Sequence, residues 1–69
     1  MARYAVVIEN GRNNYSAYVP DLPGCVSTGG TLDELIGNIR DAIELHLEGM
    51  RAEGLSIPEP SQIEYIEVP

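Results

Sequence analysis

The sequence predicts an α+β domain of order β-β-β-α-β: an antiparallel three-stranded meander, a fourth strand, and one long helix on one face. Three observations predict it. Two β-like runs, Arg3–Glu9 and Tyr15–Val19, flank an Asn10-Gly11 pair; a capped apolar stripe begins at Thr31; and Ile63–Val68 alternates again at the end.

The first run places Tyr4, Val6 and Ile8 on one face and Ala5, Val7 and Glu9 on the other, with the β-branched and aromatic content of a strand. Asn10-Gly11 marks a hairpin because both residue types tolerate φ > 0. Tyr15, Ala17 and Val19 then share a side of the returning strand. Pro20-Asp21-Leu22-Pro23-Gly24 cannot continue a ladder, since its two prolines lack the donor, and reads as a loop or kinked turn. Cys25–Thr28 is the third strand, stopped by Gly29-Gly30.

Thr31-Leu32-Asp33-Glu34 is a capping box, with acids at the positive end of the helix dipole. Leu32, Leu35, Ile36, Ile39, Ile43, His46, Leu47 and Met50 recur at three- and four-residue spacing as one apolar stripe, and Gly54 is placed to end the helix. From Leu32 to Glu53 the helix would run about 33 Å at about 1.5 Å per residue. Ile57-Pro58-Glu59-Pro60-Ser61 reads as a stiff extended linker into the fourth strand, a crossover that lays the helix over one sheet face. The whole of 1–69 reads as one domain, without internal repeats or a C-terminal DNA-binding segment.

Size and charge narrow the function. A chain of 69 residues buries only about 60% of the surface it exposes unfolded, so its core is thin. One cysteine and one histidine supply neither an internal disulfide nor the usual four-ligand zinc site. Self-association is the remaining compensation, and a homo-oligomer, dimer or tetramer, is expected. Four arginines, no lysine and eleven acids give a net charge of −7. Nucleic-acid binding depends on basic clusters, so no direct binding of DNA or RNA is expected. The acid excess fits two roles, solubility and steering toward a basic protein partner. A free thiol, a start without a signal peptide and the absence of a long apolar run fit a cytoplasmic protein away from membranes.

No catalytic constellation stands out. His46 lies in the apolar stripe and reads as a core or interface residue, and Cys25 as a small buried hydrophobe. Glu44, Glu48, Glu53, Glu59, Glu64 and Glu67 lack calcium-loop spacing and read as a solvated face. Gly29-Gly30-Thr31 lacks the lysine of a phosphate loop. No cofactor or metal is expected. The segment Val19–Cys25 is the most distinctive: a rigid loop presenting an acid and a leucine loses little entropy on binding, although a kink that merely re-aims a strand would look the same. Leu45, opposite the stripe, could join Leu22 in a contact patch.

Several of these segments together resemble the HicB family of antitoxins (UPF0150-type domains) from type II toxin–antitoxin pairs. The matching residues are Tyr4-Ala5-Val6-Val7-Ile8-Glu9, Tyr15-Ser16-Ala17-Tyr18-Val19-Pro20-Asp21-Leu22-Pro23-Gly24-Cys25, Gly30-Thr31-Leu32-Asp33-Glu34, Asn38 through Glu48, and Ile57-Pro58-Glu59-Pro60. The resemblance covers nearly the whole chain. It implies a partial RNase H-like fold without the nuclease's catalytic carboxylates. It also implies a partner, a small basic HicA-like toxin: a dsRNA-binding-like mRNA interferase whose catalytic histidine the antitoxin covers. Longer members carry a helix-turn-helix or ribbon-helix-helix segment after this domain.

The expected activity is therefore binding without catalysis, with Glu9, Asp21, Leu22, Pro23 and Gly24 as the expected partner contacts. Two other readings remain at this point. One is an orphan oligomeric interaction or regulatory domain without a toxin. The other is a relic Mg²⁺ nuclease, for which Glu9 with Asp21 is the pair of acids to test.

Overall fold

The computed structural model describes residues 2–69. Three short strands, β1 (Val7–Asn10), β2 (Tyr15–Tyr18) and β3 (Val26–Gly29), are followed by one helix, α1 (Leu32–Ala52). The sheet is an antiparallel meander in the order β1-β2-β3. Asn10 pairs with Tyr15 across the first connection, and Gly11 donates its amide to the Asn14 carbonyl at 2.8 Å. The expected hairpin forms with residues 11–14 as its loop, but neither Asn10 nor Gly11 adopts the positive φ on which the expectation rested.

Helix α1 starts and stops where its local chemistry says it should. Thr31 is the N-cap, its Oγ1 accepting from the Glu34 amide at 3.1 Å, with Asp33 and Glu34 in the first turn. At the other end Leu55 donates to the Met50 carbonyl at 2.9 Å and Gly54 to Arg51 at 3.1 Å, with Gly54 at φ 72°. This is a Schellman ending, and it needs a residue that enters the left-handed region without a steric cost.

The core lies between α1 and the strands β2 and β3. Its buried side chains are Ala17, Val19, Leu22, Cys25, Leu35 and Ile39, with Tyr4, Val6, Tyr15, Ala42, Ile43, Leu47 and Met50 packed around them. The helix passes close to β3 at Gly29, where a Cβ would fall 2.6 Å from the Leu35 amide nitrogen. Asn38 ties the same two elements by donating to the Thr28 carbonyl at 2.8 Å. The helix does not reach β1, whose Val7 and Ile8 stay substantially exposed.

Three expectations need correction. Leu32 and Ile36, assigned to the apolar stripe, are exposed, because α1 meets the sheet along the line through Leu35, Ile39, Ile43 and Leu47. Leu22, expected at the surface, is 0% exposed. The fourth strand expected over Ile63–Val68 is not formed: among the described residues the sheet has three strands, and residues 63–68 are exposed and outside it. The linker before them is held: the Tyr4 hydroxyl donates to the Pro58 carbonyl at 2.6 Å.

Candidate partner-binding surface

The inward position of Leu22 follows from the spacing of the prolines. Leu22 donates its amide to the Val19 carbonyl at 3.0 Å, and Cys25 donates to Leu22 at 3.0 Å, so two four-residue turns follow one another and share Leu22. Pro20 and Pro23 each occupy the second position of a turn, where their fixed φ is already correct. Gly24 follows at φ 86°, the third-position conformation of a type II turn. Val19 then closes the loop by donating to the Cys25 carbonyl at 3.1 Å. The shared residue is driven into the core beneath the loop, leaving Pro23 and Gly24 outside.

Asp21 does structural work in this loop. Its carboxylate accepts the Ser61 amide at 2.8 Å and the Ser61 hydroxyl at 2.6 Å. These two bonds hold its pKa below the usual carboxylate value, the side-chain bond contributing most. Asp21 therefore stays charged while clasping the segment that follows the helix. Ser61 gave no sign of this role in the sequence, because the pairing spans forty positions and no local motif marks it.

The sheet face turned away from α1 is open. Directly paired residues share a face, so the register sets Val7, Tyr18 and Val26 in one row and Glu9, Ser16 and Thr28 in the next. All three apolar members are exposed, Val26 at 63%. Glu9, Ser16, Tyr18, Val26 and Thr28 line one shallow depression on this face. An apolar row beside a polar, acid-ended row can receive a partner side chain of mixed character, such as the stem and head of an arginine or lysine. Alternation alone placed Val7 with Glu9; the join with Tyr18 and Val26 required the register.

Glu9 and Asp21 thus serve different surroundings: one ends the polar row, the other has both oxygens engaged by Ser61. Among the described residues no three acids, histidines or cysteines are grouped to hold a metal ion. Cys25 is buried, and burial pushes its thiol pKa up, which keeps it protonated and unreactive. His46 is half-buried on α1, and Leu45 is exposed. Because Leu22 is enclosed, it forms no patch with Leu45.

The profile of the family described as "HicB_like antitoxin of bacterial toxin-antitoxin system" matches residues 4–68. The chain belongs to this family. An uncharacterized 14.9 kDa protein of Haemophilus phage HP1 is 42% identical over 67 residues, covering 96% of this chain and 50% of the phage protein, so the chain spans about half that relative's length. A UPF0150 protein of Helicobacter pylori is 48% identical over 50 residues, covering 72% of this chain and 69% of its own. Among solved structures, one chain of a HicA3 and HicB3 toxin-antitoxin complex superposes with a TM-score of 0.74 at 28% identity, covering 87% of this chain and 70% of that one. The HicB-like match includes both the tandem-turn loop and the C-terminal segment. No helix of the described residues is long and apolar enough to cross a membrane.

Proposed function

We propose that this HicB-like domain is the binding module of an antitoxin, acting by sequestering a basic HicA-like mRNA interferase and covering its catalytic histidine. The observation that carries this reading is the family match over residues 4–68. A net charge of −7 supports it physically. A toxin surface shaped for RNA phosphates also attracts carboxylates, and complementary charge speeds encounter.

The contact surface in this reading joins the open sheet face to the outer side of the loop. Glu9 supplies charge beside Tyr18 and Val26, and Pro23 and Gly24 present a rigid apolar edge. Asp21 adds long-range negative charge while fastened to Ser61. Leu22 holds the loop up from inside and touches no partner. The domain performs no chemistry itself; it withholds the toxin's substrate.

The test is to purify the chain with a HicA-like protein encoded beside it and to measure association and RNA cleavage. The reading expects a complex at micromolar concentrations or tighter and cleavage suppressed at equimolar ratio. Association must weaken as salt rises, since screening reduces the attraction between exposed charges. Full cleavage in the presence of excess chain contradicts it.

A further inference from the structure

We propose that Asp21, Ser61 and Tyr4 are positioning residues for partner binding. The segment Pro58–Ser61 is a strap that holds the rim of the Val19–Cys25 loop beside the open sheet face, and closing the strap and binding the partner favour each other. The inference takes the partner from the antitoxin reading and adds which residues set the surface it meets.

The topology brings every part to one end of the sheet. Val7 pairs with Tyr18, and Tyr18 with Val26, so this row is the last rung of both ladders. Past it the lead-in to β1, residues 4–6, and the loop Val19–Cys25 leave the sheet at the same end. No ladder joins them there. The strap does. The Tyr4 hydroxyl donates to the Pro58 carbonyl at 2.6 Å, and Ser61 donates its hydroxyl and amide to the Asp21 carboxylate at 2.6 and 2.8 Å.

The strap is stiff by sequence. Pro58 and Pro60 fix their own φ and restrict Ile57 and Glu59 to extended backbone. At about 3.1 Å per residue the three steps from Pro58 to Ser61 make a rod of about 9 Å. A rod pinned at both ends fixes the separation of its anchors. Ile57, Pro58 and Pro60 are half-buried, whereas Ser61 and every residue after it are exposed. An open cleft lined by Arg3, Tyr4, Ala5, Ser61 and Ile63 runs alongside. The outer end of the strap therefore rests on the clasp with Asp21 and not on packing.

The loop needs this anchor. Its three backbone bonds set its shape and the enclosed Leu22 sets its depth, but both act from within. Asp21 is held from outside, two positions before the exposed Pro23 and three before Gly24. With the clasp open the rim can tilt about Leu22, and a partner must order it on binding. Order already present in the free state is gained as affinity. The clasp also leaves Asp21 able to meet a cation. Each oxygen accepts one bond from Ser61 and keeps a further lone pair, so an arginine or lysine of a basic partner can be received while the strap stays closed. Coupling is reciprocal: the factor by which an open clasp weakens binding is the factor by which binding must protect the clasp.

The experiment titrates the full chain with the HicA-like protein encoded beside it, at low and high salt, with α1 followed by circular dichroism. Ser61→Pro removes both donors and leaves the charge of Asp21 in place. It should weaken binding about 10-fold, within the usual range of a coupling between sites. The loss should be the same at both salt concentrations, whereas the loss in Glu9→Gln, a matter of charge, should shrink as salt rises. Ser61→Thr keeps both donors and should bind like the unaltered chain. Tyr4→Phe, which frees the other anchor, should weaken binding by a smaller factor. In the unaltered chain, saturating toxin should raise the protection of the Ser61 amide about 10-fold. Unchanged affinity in Ser61→Pro, equal losses in Ser61→Pro and Ser61→Thr, or Ser61 protection indifferent to toxin would each overturn the strap and leave the antitoxin reading standing. No binding by the unaltered chain would overturn both.

Discussion

The Val19–Cys25 loop and the Gln62–Val68 tail invert each other's expected roles. The loop, with two prolines, an acid and a leucine, reads as a surface recognition element, yet its leucine is sealed in the core. The tail reads as a sheet strand, yet its largest side chains lie in the open. The difference is one of self-sufficiency. The loop satisfies its own backbone through two shared turns and a closing bond, so it can turn its apolar residue inward. The tail is fastened at Ser61, and beyond that point it joins no ladder among the described residues.

Substitution at matching apolar positions breaks this comparison most sharply. Leu22→Ala should destabilise the fold by about 2–5 kcal/mol, since it removes a fully enclosed side chain and leaves a cavity. In a domain of such limited total stability that is enough to unfold much of the population. Ile66→Ala, measured where the chain is dilute, should change stability by less than about 0.5 kcal/mol. Urea titrations of the two variants decide the point; equal effects would mean that the tail is part of the monomer's core.

Backbone substitutions come next. Gly29→Ala should cost about 1–3 kcal/mol, because its Cβ would meet backbone atoms of Leu35 that cannot give way without moving α1 from β3. Gly24→Ala meets nothing in space, and its cost is conformational, about 1–2 kcal/mol from the left-handed φ. Thermal unfolding should therefore rank Gly29→Ala at or below Gly24→Ala in stability.

The clasp between loop and tail gives a smaller, pH-dependent effect. The Asp21 carboxyl titrates lower in the fold than in the unfolded chain because Ser61 donates to it. Its contribution is complete above the unfolded value, near 3.9, and disappears as pH falls through the lower folded value. The protection of the Ser61 amide, its exchange rate relative to that of the unfolded chain at the same pH, should thus be greatest at neutral pH and fall in acid before α1 melts. Asp21→Asn should show faster Ser61 exchange already at neutral pH. Cys25 offers the mildest check: its thiol should react with a maleimide only as fast as the core opens, and quickly after denaturation.

What was legible in the sequence follows the range of each interaction. The helix was readable almost to the residue, since Thr31, Glu34 and Gly54 act within one turn of its ends. The meander was readable because a polar, glycine-containing loop separates two β-like runs, although its turn does not use the positive φ that Asn10-Gly11 allows and each strand forms shorter than or shifted from its expected span. The site was less so. Proline spacing in Pro20-Asp21-Leu22-Pro23-Gly24 did encode the tandem turns, but reading both as one kink concealed where Leu22 points. The row Val7–Tyr18–Val26 and the Asp21–Ser61 clasp depend on register and on a forty-residue separation, for which no local pattern exists.

The central claim, that an acidic HicB-like domain meets a basic toxin with its open sheet face and the rim of its tandem-turn loop, is tested most directly by titrating the isotope-labelled chain with the neighbouring HicA-like protein. Amide shifts should concentrate at Glu9, Ser16, Tyr18, Gly24, Val26 and Thr28, while Leu35 and Ile39 stay still. Shifts confined to α1, or none at saturating toxin, would contradict it.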